Sequence, residues 1–253
     1  MELYYIIVFF VFGTIFGSFF NVLGYRLPKE ESIMFPGSHC PKCNYNLKAL
    51  DLIPIVSYMF LKGRCRSCKT KISWFYPLFE FITGVIFAFS YYTFGFSLEL
   101  ISVLIFASSM IVIFISDYQT MIIPDEIIIF ASVMLLSITF VDQGLISFLI
   151  SLYNGIIAFG FMFSLKLFGD FVFKKESMGG GDIKLLFVFG IFFGWEMAIF
   201  SIFLGSLIGL PISIIFLKIK KENIIPFGPF LTMAALLIMF FKIDVSWVIN
   251  FLT

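Results

Sequence analysis

Residues 3–23 read LYYIIVFFVFGTIFGSFFNVL, a run of 21 positions without a single charge. As a helix rising about 1.5 Å per residue it is about 31 Å long, which matches the hydrocarbon core of a bilayer. Met1-Glu2 supplies no basic flank, and no small-residue cleavage site precedes Leu23, so the run reads as a retained span and not a removable leader. Similar apolar runs follow at about 74–94, 100–116, 126–141, 146–168, 183–195, 197–217 and 228–249. A chain that is 60% hydrophobic and 13% charged cannot cover a water-facing surface. In lipid the backbone has no water to bond, so these runs must be helices. The sequence predicts an all-α polytopic integral membrane protein of about eight transmembrane helices. Residues 1–23 form the first helix, 24–73 a polar loop, and 74–253 the remaining helical core. A net charge of +1 creates no field for nucleic acid, and membrane lipid is the surrounding partner.

The basic residues orient the chain. Arg26, Lys29, Lys42, Lys48, Lys62, Arg64, Arg66, Lys69 and Lys71 lie in the first loop. Lys166, Lys174, Lys175 and Lys184 flank the loop between the fifth and sixth spans, and Lys218, Lys220 and Lys221 follow the seventh. With the N-terminus outside, all of these face the cytoplasm, where positive loops are retained, and only Lys242 does not. The loops assigned outside carry Glu99, Asp142 and Glu196 and no basic residue. The sixth span is short, a length that can mark a re-entrant segment. It is kept as a crossing because otherwise Lys218, Lys220 and Lys221 would move outside.

All four cysteines sit in the first loop, as Cys40-Pro-Lys-Cys43 and Cys65-Arg-Ser-Cys68, 21 residues apart. Each turn of this kind aims two thiolates at one ion, and two turns close a tetrahedral zinc site. The alternative is a pair of disulfides or a redox couple, which a reducing cytoplasm disfavours. Four thiolates leave no open coordination position, so the zinc is expected to be structural. His39, the only histidine, is a neighbour of Cys40 and reads either as a donor behind that ligand or as an ordinary exposed residue. HExxH is absent.

Two carboxylates stand at the cytoplasmic ends of spans. Asp117 closes the third, before Tyr-Gln-Thr-Met-Ile-Ile-Pro124-Asp125, and Asp182 opens the sixth, after Met178-Gly-Gly-Gly181. Two carboxyls held close together cannot both ionise easily, so they share a proton, and one can act as base on a water while the other acts as acid. The glycines would let an extended substrate strand lie beside the backbone. The plainer reading makes Asp182 a helix N-cap and Asp117 a helix-end charge.

Six landmarks occur in order: Gly17-Ser-Phe-Phe-Asn21-Val-Leu-Gly-Tyr-Arg26-Leu-Pro28, the paired CxxC turns, Tyr76-Pro-Leu-Phe-Glu80-Phe-Ile-Thr-Gly84, Asp117 to Asp125, Gly179-Gly-Gly-Asp182, and Ile225-Pro-Phe-Gly-Pro-Phe230. Together they resemble the type 4 prepilin leader peptidases, a family of GxGD intramembrane aspartic proteases. The resemblance implies a multi-pass protein of the bacterial cytoplasmic (inner) membrane with its active site at the cytoplasmic face. It implies cleavage of prepilins and pseudopilins after a glycine, with Asp117 and Asp182 as the catalytic pair. It further implies N-methylation of the new N-terminal residue from S-adenosylmethionine, in a pilus, secretion or DNA-uptake system. No G-x-G-x-x-G after a strand supports methylation independently. Asn21, Arg26 and Glu80 could bind the donor or substrate, or simply anchor the membrane edge. Without the resemblance, a polytopic transporter or channel with a structural zinc loop remains the competing reading.

Overall fold

A β-carbon built on Gly13 would sit 2.7 Å from Thr83 O and 2.8 Å from Gly84 Cα, and one on Gly17 would sit 2.8 Å from Glu80 Cα. Two glycines four apart on one helix face thus let two membrane helices touch backbone to backbone. These helices are α1 (Glu2–Arg26) and α3 (Phe75–Phe94). Phe9 stacks on Tyr91 while Asn21 reaches Tyr76 O at 3.3 Å, so the pair is antiparallel. The computed structural model describes residues 2–220 and 225–252, without the side chains of 216–220, 249, 251 and 252. Among the described residues there is no strand, only the isolated bridges His39–Asn46 and Arg64–Lys71. The chain forms two compact units, Met1–Leu100 and Ile101–Thr253. The expected limits at 23 and 73 divide the chain by polarity, whereas the units divide it by packing.

In the first unit the loop between α1 and α3 holds two 3-10 turns, Leu27–Lys29 and Ala49–Asp51, and the short helix α2 (Val56–Phe60). Glu80, 8% exposed on α3, accepts the Ile55 N–H at 2.6 Å and ties this loop to the helix pair.

The second unit is built around α4 (Leu98–Thr120), whose Val103, Phe106, Ala107, Met110, Ile113 and Ile115 are each at most 1% exposed. α5 covers Asp125–Phe173, 49 residues, far longer than one crossing requires. It is broken at Gly144 (φ 84°, ψ −175°), a backbone state open essentially to glycine alone. The break falls between the two spans expected at 126–141 and 146–168. α6 (Gly180–Phe193), α7 (Trp195–Lys220), α8 (Gly228–Phe240) and α9 (Val245–Leu252) complete the unit. Phe106 of α4 stacks on Phe192 of α6 at 4.2 Å between ring centroids.

Five helices among the described residues are long and apolar enough to cross a membrane, with α5 counted as one. α6 and α8 are shorter, at 14 and 13 residues. The expected last span, 228–249, is not one helix. Lys242 takes a left-handed φ of 48°, ending α8, and Asp244 Oδ1 accepts the Trp247 N–H at 2.7 Å, starting α9. Of the basic residues expected after the seventh span, Lys221 lies outside the described residues.

Candidate active site

Asp117 sits in the last turn of α4, 6% exposed. Its carbonyl accepts the Met121 N–H at 2.9 Å, and Met121 adopts a left-handed φ of 58°, which closes the helix end. Two hydroxyls fix this turn: Ser116 donates to Ile122 O at 2.6 Å and Thr120 to Ser116 O at 2.8 Å. Asp117 is therefore held by a rigid element end, as a reacting group requires.

Asp182 is half-buried at the third residue of α6, whose N-cap is Gly179 with no side-chain cap. The capping explanation does not describe Asp182. Nor is Asp125 a cap, because Pro124 holds that position at the start of α5. Both Asp125 carboxylate oxygens instead accept Lys184 Nζ, at 2.7 and 2.8 Å. Lys184 lies two residues beyond Asp182, so the pair joins the first turn of α6 to the segment after Asp117. A second contact reinforces this, since a β-carbon on Gly181 would come within 2.9 Å of Ile123 Cβ. Gly180 meets nothing within 4 Å, leaving that part of the glycine run open.

These contacts bring Asp117 and Asp182 within electrostatic range of one another. A third segment arrives from α8. A β-carbon on Gly228 would sit 2.5 Å from Asp117 Oδ2. The Gly228 amide faces the carboxyl, whose Oδ2 is buried and has no hydrogen-bond partner among the described residues. A buried, unpaired carboxyl oxygen calls for an explanation, and an acceptor reserved for water or substrate is one. From sequence, Gly228 is only part of the Ile225–Phe230 landmark and Lys184 only a basic flank, and neither is given a role at the site. Gly-Pro before an apolar run signals a helix start, but no sequence signal names the residue it faces.

The four cysteines form the other cluster. Their Sγ atoms all lie within 4.8 Å of one another, with Cys40–Cys68 at 3.8 Å and Cys43–Cys65 at 3.9 Å. Metal–sulfur bonds of about 2.3 Å give tetrahedron edges of about 3.8 Å, so the donors fit a zinc-sized ion. The two turns are built alike. Cys40 N–H donates to Tyr45 O and Cys65 N–H to Thr70 O, while Asn44 and Lys69 take left-handed φ values of 54° and 57° and donate back to Cys40 O and Cys65 O.

Charge also favours a cation there. Thr70, through its hydroxyl 3.2 Å away and its amide, holds Cys68 down to about 6. Cys43, despite the favourable Tyr45 amide, is pushed up to about 11 by desolvation and by the Cys68, Cys40 and Cys65 sulfurs. Without a positive ion the thiolates oppose one another. Arg66 Nε donates to Asp51 Oδ1 at 2.6 Å, anchoring the second turn. His39 stands apart from the cluster, its Nδ1 2.9 Å from Gly37 O.

Residues 11–94 match the family model described as Bacterial Peptidase A24 N-terminal domain, and residues 104–214 match Type IV leader peptidase family. The Prepilin leader peptidase/N-methyltransferase of Bacillus subtilis (strain 168) is 36% identical over 236 residues, covering 91% of this chain and 92% of the relative. Its counterpart in Neisseria gonorrhoeae is 32% identical over 253 residues, covering 90% and 87%. No solved structure matches the chain. Both matched segments stand in order, one inside each compact unit, and the likeness to full-length relatives spans the cysteine cluster and both aspartates: the chain belongs to the type IV leader peptidase family.

Proposed function

We propose that this protein is a membrane aspartic endopeptidase that cleaves the leader of type IV prepilins or pseudopilins after a glycine and then methylates the new N-terminal residue. The observation that carries the peptidase reading is Asp117 Oδ2, buried and unpartnered among the described residues, within electrostatic range of Asp182. One carboxylate, ionised, takes a proton from water as the water oxygen attacks the scissile carbonyl. The other, protonated, donates to the carbonyl oxygen as it gains charge. Collapse of the tetrahedral species breaks the C–N bond, and the proton first taken from water passes to the leaving nitrogen. Ser116, Thr120 and Lys184 hold the segments that carry the pair.

The site belongs at the cytoplasmic face of the bacterial inner membrane, because Lys166, Lys174, Lys175 and Lys184 flank the glycine run. The same rule, with the break at Gly144, supports eight crossings. Cys40, Cys43, Cys65 and Cys68 would hold zinc, which supplies a cross-link for a loop with little apolar core. S-adenosylmethionine, when bound, supplies an activated methyl group on a positively charged sulfonium. In the first unit Asn21, 3% exposed, keeps its Oδ1 without a hydrogen-bond partner among the described residues, and Glu80 is buried on the facing helix. These acceptors suit a cationic group. Arg26 is committed elsewhere, donating to Ser32 O and Pro36 O at 2.8 Å.

The test is cleavage of one purified prepilin by the purified protein, read by mass spectrometry with and without S-adenosylmethionine. The expected product lacks the leader and becomes one methyl group heavier with the donor. Intact prepilin after incubation with wild-type protein overturns the reading.

A further inference from the structure

Gly228 is the first residue of α8, and its backbone there is ordinary helix without a left-handed φ. Alanine would satisfy that backbone and would be the better helix former. What excludes it is space. A β-carbon would lie 2.5 Å from Oδ2 and 3.0 Å from Cγ of Asp117, closer than real contacts allow. Neither backbone can give way easily. Gly228, Pro229, Phe230 and Leu231 are all buried, and the Thr232 hydroxyl donates to Pro229 O at 2.9 Å. The Asp117 backbone is fixed by the closed turn at the end of α4, so it is the carboxyl that must swing away. A glycine set against its local preference, at a point of close approach, marks a functional constraint.

The same residue presents the amino end of α8. Phe230 and Leu231 N–H groups close on Phe227 O, and Pro229 has no N–H. Gly228 therefore carries the free amide beside the Asp117 carboxyl, at the positive end of the helix dipole.

We propose that Gly228 is a positioning residue of the aspartate pair: lacking a side chain, it lets the amino end of α8 close on Asp117 and hold that carboxyl in its reacting position relative to Asp182. The inference rests on the reading of Asp117 and Asp182 as the catalytic pair. An added methyl group moves the Asp117 carboxyl and not the substrate, so the loss falls on kcat.

The experiment uses the full-length protein and four variants, Gly228→Ala, Asp117→Ala, the double variant, and Gly160→Ala as a control glycine with nothing within 4 Å. Prepilin cleavage and melting temperature are measured for each. Gly228→Ala is expected to lower kcat on the order of 100-fold, as a displacement near 1 Å does, while KM stays within about twofold. Gly160→Ala should behave as wild type. The kcat–KM split is the readout that packing alone would not give, and stability tests the contact itself. Removing the Asp117 carboxyl vacates the space, so Gly228→Ala should lower the melting temperature in the wild-type background and not in Asp117→Ala, a non-additive cycle. If Gly228→Ala alone does not fold, recovery of folding in the double variant supports the inference equally. Wild-type cleavage by Gly228→Ala, or strictly additive melting shifts, overturns it. Activity in Asp117→Asn or Asp182→Asn would instead overturn the underlying pair, so the two failures are distinguishable.

Discussion

Asp117 and Asp125 stand eight residues apart around one cytoplasmic turn, and either could be nominated from sequence as the partner of Asp182. Their environments separate them. Asp117 is buried with an unpaired oxygen, whereas the Asp125 side chain is 58% exposed and bound to Lys184. Asp117→Asn and Asp182→Asn are each expected to abolish prepilin cleavage while the protein still inserts, measured at matched membrane levels. Asp125→Asn should keep cleaving, because an exposed ion pair contributes at most about 1 kcal/mol. An inactive Asp125→Asn beside an active Asp117→Asn would reassign the pair. In sequence, Pro124 before Asp125 marks a helix start at which that carboxylate has a sufficient structural role as a cap; the structure gives it a structural role through an ion pair instead. The carboxylates were legible because charge is conspicuous at the edge of an apolar run. Gly228 was not, because its role comes from a residue more than a hundred positions away, and spacing along the chain carries no trace of that contact.

At the scale of elements, polarity located the spans but did not show where each helix stops. Residues 228–249 are apolar enough to read as one crossing, yet Lys242 and Asp244 break them into α8 and α9. Asp before an apolar run is an N-cap signal that could have been used. The cysteine turns were legible for the opposite reason, since ligand spacing is local and needs no tertiary contact. Elemental analysis of protein purified without chelator should give about one zinc per chain, and Cys40→Ser with Cys43→Ser should abolish binding and expose the loop to protease. Purified wild-type protein free of zinc would defeat the metal assignment. The break in α5 makes a separate prediction. Gly144 at φ 84° holds a conformation that costs other residues about 1–3 kcal/mol, so Gly144→Ala should lower stability by that amount in a denaturant titration. An unchanged midpoint would mean that the break is not required.

For the whole molecule, orientation follows from where charge cannot be moved. The loop from 24 to 73 holds nine of the seventeen basic residues, and translocating such a cluster is disfavoured where a short positive loop can remain inside. That loop also holds all four cysteines, so a thiol reagent reports on it alone. Cys65 would be a poor probe at 3% exposure, whereas Cys43 and Cys68 are exposed and become reactive once metal is withdrawn. In intact cells treated with a membrane-impermeant maleimide, the wild-type protein should take no label. After permeabilisation with a chelator, Cys43 and Cys68 should both react. Asp142, exposed beside the Gly144 break, supplies the reciprocal probe. The break has no basic residue near it, so the same rule leaves it outside and Asp142→Cys should label in intact cells without permeabilisation. Label on Cys43 or Cys68 before permeabilisation would place the cysteine loop outside and reverse the orientation. Protection of Asp142→Cys in intact cells would show instead that α5 does not emerge at its break, which removes two of the eight crossings.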